Sequence, residues 1–199
     1  MDDQTRQDIG KYASEGPACA VLLRKYDSAW FDRGRSKLVE TLWLVLDAVL
    51  VRSRVPGYVH RRLILRAFGA RIGKRVLIKP GVRIKFPWRL KIGDDSWIGE
   101  EVWIDNLAPV QIGANCCISQ GVYICTGSHD WGRATFDLLV KPVKIEDGAW
   151  IASQSAIGPG VLVGEGAVLS LGSVATSDLA PWGIYQGVPA TLVKHRAIS

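Results

Sequence analysis

From Ile72 onward an apolar residue returns at every sixth position. The series runs Ile72, Ile78, Ile84, then after an eight-residue step Ile92, Ile98, Ile104, and after another Ile112, Ile118, Ile124. It resumes at Ile145, Ile151, Ile157, Val163, Leu169 and Ala175, so that all fifteen positions are apolar. A second column lies four residues further on: Val76, Val82, Ser96, Val102, Ala108, Cys116, Val122, Ser128, Ala149, Ser155, Val161, Ala167 and Ser173 are all small or β-branched. Only Trp88, inside an eight-residue step, departs. A period of six is neither the 3.6 of a helix nor the 2 of a strand, and it signals a repeat architecture. Six residues make one short strand and a corner, and three such sides close a triangular coil of eighteen residues. Coils stacked at strand spacing, about 4.8 Å, turn the two columns into continuous interior ladders. Six column residues are followed by Gly, which suits tight bends. The expected fold is mainly β, a parallel β-helix of about five triangular coils over residues 71–177, with a tail at 178–199.

Ahead of the coils the period changes. Residues 1–36 show no sustained pattern and read as an irregular segment. Residues 37–70 read as helical: SKLVETLWLVLDAVLV, a turn at Pro56-Gly57, then YVHRRLILRAFGA. The first apolar run, about 14 residues with Glu40 and Asp47 inside it, is short of the roughly 20 that span a bilayer, so it reads as a buried or interfacial helix.

Charge sharpens that reading. Residues 48–93 hold thirteen Lys/Arg and no Asp/Glu, whereas the rest of the chain holds nineteen acidic residues. These cations travel with LWLVLDAVLV and LILRAF rather than with any nucleic-acid module, so an anionic membrane surface is the better expected partner and nucleic acid is not expected. A solvated basic face is the plainer alternative. The four cysteines, two of them adjacent, do not resemble a secreted disulfide framework, and the polar, acidic start MDDQTRQDIG lacks the features of a secretory signal. A cytoplasmic location, at the inner face of the membrane if the basic segment binds there, follows as the expectation.

The repeat stops between residues 125 and 143, where CTGSHDWGRATFDLLVKPV intervenes. Loops on rigid scaffolds are where chemistry concentrates, and this one carries His129, the only histidine within the repeat region. Imidazole titrates near neutrality and suits a general base. The IGxxxxI repeats, the SHD of this loop, KPVKIEDGAWI where the coils restart and YQGVPA near the end together resemble the hexapeptide-repeat acyltransferases. Within them they resemble the exopolysaccharide O-acetyltransferases of the colanic-acid biosynthesis type, from about Leu38 to Lys194.

That resemblance implies a left-handed helix, a homotrimer and acetyl-CoA as co-substrate, lying in a groove between coils. It implies His129 as general base, with Asp130 either orienting the ring or capping the local turn. Cofactor contacts carry over to Trp150, Ala152, Ser153, Leu171, Gly172, Thr176, Pro189 and Lys194. Ala152-Ser153 stands where relatives often have a glycine pair, and Leu171 where they often have Ala. Asp105 and Asn106 match an acceptor-binding position loosely, and Trp131 and Arg133 are candidates to stack on and hydrogen-bond a sugar. The implied acceptor is a sugar hydroxyl in exopolysaccharide or lipid-linked glycan synthesis. Alternatives are acetylation of a small sugar or xenobiotic, a catalytically idle scaffold in a glycan assembly complex, and a covalent route through Cys116, Cys117 or Cys125. No metal is expected, because the three histidines do not pair within the coils.

Overall fold

The computed structural model describes residues 21–198; residues 1–20 and Ser199 lie outside the described residues, and with them Cys19 and most of the irregular N-terminal segment. The chain forms two compact units. One comprises Arg33–Ser128 and the described residues from Val140 on, the other the described residues up to Asp32 together with His129–Leu139.

The larger unit is the stacked-coil β-helix that the six-residue columns predict. Its first face stacks Arg71–Ile72, Leu90–Ile92, Val110–Ile112, Val143–Ile145 and Leu162–Val163, all parallel. The second stacks Leu77–Ile78, Trp97–Ile98, Cys117–Ile118, Trp150–Ile151 and Val168–Leu169. The third stacks Arg83–Ile84, Trp103–Asp105, Tyr123–Cys125, Ala156–Ile157 and Val174–Ala175. Register places column residue on column residue: Ile78, Ile98, Ile118, Ile151 and Leu169 are successive partners, and all are buried. Five coils are complete, and Leu179, bridging to Val163, begins a sixth. Gly183–Gly187 then adds to the second face, and Ala190–His195 pairs with it antiparallel, covering the edge.

The corners explain the sequence between columns. Left-handed backbone recurs at Arg75, Asp95 and Asn115 and then at Gly148 and Gly166, one corner of each successive coil. Gly99 is required by close approach, since a Cβ there would stand 2.5 Å from the backbone nitrogen of Gln120 in the next coil. Buried corner hydroxyls are satisfied: Ser96 Oγ donates to Gly113 O (2.7 Å) and Ser155 Oγ to Ser170 O (2.8 Å). Ser128 leaves the predicted second column. It is half-buried where the chain departs into the loop, and Thr126, fully buried, turns inward instead, its Oγ1 accepting from Ala108 N at 2.9 Å.

Two helices close the N-terminal end of the coils. Helix α1 (Lys37–Leu46) begins at the Ser36 cap, whose Oγ accepts from Val39 N, and runs on into a π-helical turn, Asp47–Val51. Helix α2 (Val59–Ala67) returns against that turn and the first strand. Trp43, Val51 and Leu65 join Ala70, Ile72 and Val76 in one core, and Trp43 Nε1 donates to Ile84 O at 3.0 Å. Arg61, fully buried, spreads its guanidinium over four backbone carbonyls: Val51 (2.8 Å), Val55 (3.1 Å), Ser53 and Gly57. A helix end leaves carbonyls unpaired, and Arg61 supplies their donors.

Candidate active site

Strand alternation sends two rows of side chains outward from the second face. Residues just before each column position are mostly larger (Trp97, Trp150, Val168 and Ile184, with Cys117 between), and those just after it are mostly small (Gly99, Ser119, Ala152, Ser170). Towards the last coils the small row floors an open cleft of about 890 Å³, with Trp150, Leu171, Val193 and Lys194 also in its walls. The indole of Trp150, 45% exposed, is fixed by Nε1 donating to Ser119 Oγ at 3.1 Å. Five of the eight predicted cofactor positions therefore meet here: Trp150, Ala152, Ser153, Leu171 and Lys194. Gly172 follows directly, its N–H donating to Ser153 O at 3.0 Å. Among the described residues the backbone N–H groups of Ser153 and Leu171 have no acceptor, so two donors remain at this rim for an extended amide-bearing ligand.

Two predicted cofactor positions are not part of this cleft. Thr176 follows the last strand of the third face, and Pro189 is exposed at the turn between Gly183–Gly187 and Ala190–His195. Conversely, Ser119, Gln120, Ser170 and Gln186 line the cleft although no motif marks them, and Arg196, one of the cations that follow GVPATLV, lines it beside Lys194. The signal for Ser119 and Ser170 was available in the spacing, because they occupy the same position after a column residue as Ala152. Arg196 bonds the carbonyls of Gly148 and Gly166, both at 3.0 Å, which ties the tail to the coils.

The acceptor candidates on the third face separate. Asp105 lies in a polar cluster: Tyr123 OH donates to its Oδ2 at 3.2 Å, and Lys85 Nζ stands 3.1 Å from Oδ1, in ion-pair range without hydrogen-bond alignment. Burial, with Cys125 and Asp105 alongside, pushes the Tyr123 phenol up, so it remains a donor. Asn106 is fully buried, accepting from Phe86 N (2.9 Å) and donating to Phe86 O (2.7 Å). Its amide fastens the preceding coil and, fully buried, is not exposed to an acceptor, contrary to the expectation. Cys116 is likewise spent inside: its thiol donates to Glu146 O at 3.0 Å, and burial pushes it up to about 11.

In the smaller unit the loop folds around its histidine. His129 Nδ1 lies 2.9 Å from Phe136 O, a carbonyl that can only accept, so Nδ1 carries the proton and Nε2 keeps a free lone pair. The ring stacks on Phe136 (centroids 4.2 Å apart, planes 3° apart) and meets Tyr26 edge-on at 5.5 Å. Leu22 N donates to Ala134 O at 2.8 Å, so the segment before Asp32 packs on the loop. Asp130 does not orient the ring. Its Oδ1 accepts from Gly132 N (3.0 Å) and its Oδ2 pairs with Arg133 Nε (3.5 Å), which makes it the cap of the local turn. Trp131 is 81% exposed, and Arg133 also reaches Asp137 Oδ2 at 3.1 Å. Among the described residues no cluster of His, Cys, Asp or Glu is placed to hold a metal ion.

Known proteins share this arrangement of coils. A family model described as the hexapeptide repeat of succinyl-transferase matches residues 89–125 and 142–177. The Escherichia coli protein assigned as the colanic acid biosynthesis acetyltransferase WcaF is 36% identical over 166 residues, 83% of this chain and 91% of that one. The Escherichia coli galactoside O-acetyltransferase is 26% identical over 144 residues, 70% of this chain and 71% of its own. Among solved structures, a hexapeptide-repeat acetyltransferase from Vibrio cholerae in complex with acetyl coenzyme A superposes with a TM-score of 0.75 at 24% identity, covering 86% of this chain and 93% of that chain. The last likeness speaks to the fold.

Proposed function

The chain belongs to the hexapeptide-repeat acetyltransferases, with their left-handed parallel β-helix, and from that premise we propose that it transfers acetyl from acetyl-CoA to a sugar hydroxyl in exopolysaccharide or lipid-linked glycan synthesis. The observation that carries the reading is His129: a ring whose Nδ1 is committed to the Phe136 carbonyl presents Nε2 as a base of fixed tautomer. Nε2 takes the acceptor's hydroxyl proton as that oxygen attacks the thioester carbonyl. The carbonyl–sulfur bond then breaks, CoA leaves as the thiolate, and the imidazolium returns the proton to it. The free amides of Ser153 and Leu171 suit the carbonyl oxygens of the acyl carrier, including the oxyanion of the attacked thioester. Trp150 and the small row from Ser119 to Ser170 suit a long, narrow pantetheine arm, and Lys194 suits its phosphates. The active form in this proposal is a homotrimer in which the cleft of one copy and the loop of a neighbour complete the site.

The test is transfer of radiolabelled acetyl from acetyl-CoA to neutral hexoses, to amino sugars and to lipid-linked oligosaccharide, with each product treated with alkaline hydroxylamine. The reading expects label on hydroxyl-only acceptors that hydroxylamine releases, as it does esters. Label confined to amino sugars and resistant to hydroxylamine would make the chain an N-acetyltransferase and overturn the proposal.

A further inference from the structure

The two N-terminal helices bury Trp43, Val51 and Leu65 yet also present apolar residues outward. A surface helix ordinarily turns apolar residues inward and charge to water. Along α1 and its π-helical extension the inward stripe also includes Asp47, buried, and Glu40, whose side chain is 13% exposed and paired with Arg33 at 2.8 Å. The outward stripe is Leu38, Leu42, Val45 and Val49, exposed by 79, 52, 54 and 61%. Spaced by four, three and four residues, these lie on one side of the helix. Helix α2 repeats the pattern: its Arg61 is fully buried while Val59 and Leu63 are each more than half exposed, as is Val55 in the connecting turn. Neither helix has a carboxylate on its outer side, because the only acidic residues between Lys37 and Ala67 are Glu40 and Asp47.

Cations rim this apolar surface. Lys37 and Arg54 are exposed and have no ion-pair partner among the described residues, and Arg62 lies over the Tyr58 ring, 5.1 Å from its centroid. Three basic residues of the coils are committed elsewhere: Arg75, Arg83 and Lys85 pair with Asp95, Glu101 and Asp105 one coil on. Of the helical cations, Arg52 pairs with Asp47 and Arg61 and Arg66 bond backbone carbonyls, which leaves Arg54 and Arg62, together with Lys37, to meet phosphates. A second copy docked patch to patch would bring like charges together, with no carboxylate on either outer helix side to relieve them. Phosphate head groups above acyl chains complement both the rim and the stripe. Among the described residues no helix is long and apolar enough to cross a membrane.

We propose that this end of the molecule docks in the plane of an anionic lipid bilayer, with Leu38, Leu42, Val45, Val49 and Leu63 entering the head-group–acyl boundary and Lys37, Arg54 and Arg62 on lipid phosphates. The docking is independent of acetyl transfer and can be tested without acetyl-CoA. The full-length protein is sedimented with vesicles of phosphatidylcholine alone or mixed with phosphatidylglycerol, and its particle mass is followed by light scattering. The expected result is strong binding to the mixed vesicles, weak binding to the neutral ones, and a steep fall with salt. Replacing Leu42, Val45 and Val49 together with Gln lowers binding by more than about tenfold, and Lys37→Gln with Arg54→Gln lowers it about fivefold per cation. The cation variant touches only exposed side chains, so it keeps the test alive if the triple variant misfolds. Equal binding to both vesicle types, no binding, or wild-type binding by the folded triple variant would overturn the proposal. So would a loss of particle mass in the triple variant, which would assign the stripe to contact between copies.

Discussion

Replacing Arg61 with Met keeps an unbranched apolar stem and removes the guanidinium that holds four carbonyls between Val51 and Gly57. A hydrogen bond to a charged group contributes about 1.5–3 kcal/mol, and a buried acceptor left unpaired costs about 1–3 kcal/mol. The four bonds do not simply add. Val51 is fully buried, so its carbonyl loses a partner outright, whereas Val55 and Gly57 are exposed and Ser53 is half-buried, so water replaces much of what they lose. Burial also lowers the pKa of Arg61, which means that the folded state bears a desolvation cost the Met variant escapes. The balance is a net loss of about 2–4 kcal/mol. Urea unfolding at fixed protein concentration, followed by far-ultraviolet circular dichroism, measures it. Arg61→Lys should recover little, since one ammonium cannot reach four carbonyls in a fork. A loss below about 1 kcal/mol for Arg61→Met would refute the assignment of Arg61 as the clamp of the helical cap.

Asp47 makes stability depend on pH. Burial pushes its carboxyl up to about 6, against the pull of Arg52 and Arg83, so the folded chain binds this proton more tightly than the unfolded chain. Its contribution is most favourable at and below the ordinary carboxylate value and declines as pH rises from about 4 to about 6. Relative to wild type, Asp47→Asn should therefore gain up to roughly 3 kcal/mol between pH 4 and pH 8, measured by urea unfolding at both, and a constant difference would contradict the shift. Changing Cys116, Cys117 and Cys125 together to Ser should leave acetyl transfer within a few-fold of wild type in a steady-state assay, because the buried Cys116 thiol is not a nucleophile. A folded but inactive triple variant would point to a covalent route.

The coils were legible because geometry leaves the sequence no choice: a side chain that points inward every six residues must be apolar, and Ile98, Ile118 and Ile151 stack in the register that their spacing requires. The cleft was legible in part, through motif positions such as Trp150, Ser153 and Leu171. Its floor was missed because a small outward residue such as Ser119 carries no chemistry by itself and matters only through its neighbours in the stack. The partner of His129 was also hidden. A backbone carbonyl has no side-chain signature, so the sequence left Asp130, the adjacent carboxylate, open between orienting the ring and capping the turn, and turn chemistry claims it. Asn106 shows the reverse error, a polar residue that reads as a contact until burial reveals both its groups bonded to Phe86. Tyr26 lies in a stretch without periodicity, and nothing in its local sequence announced that it would meet the His129 ring.

The central claim is that His129 Nε2 is the base for direct transfer, and the most direct test is steady-state acetyl transfer to a hydroxyl acceptor by the His129→Ala protein, with CoA binding checked by thermal shift. Turnover roughly 100- to 10,000-fold below wild type, with CoA still stabilising the fold, is the predicted result; wild-type turnover by the folded variant would contradict the account.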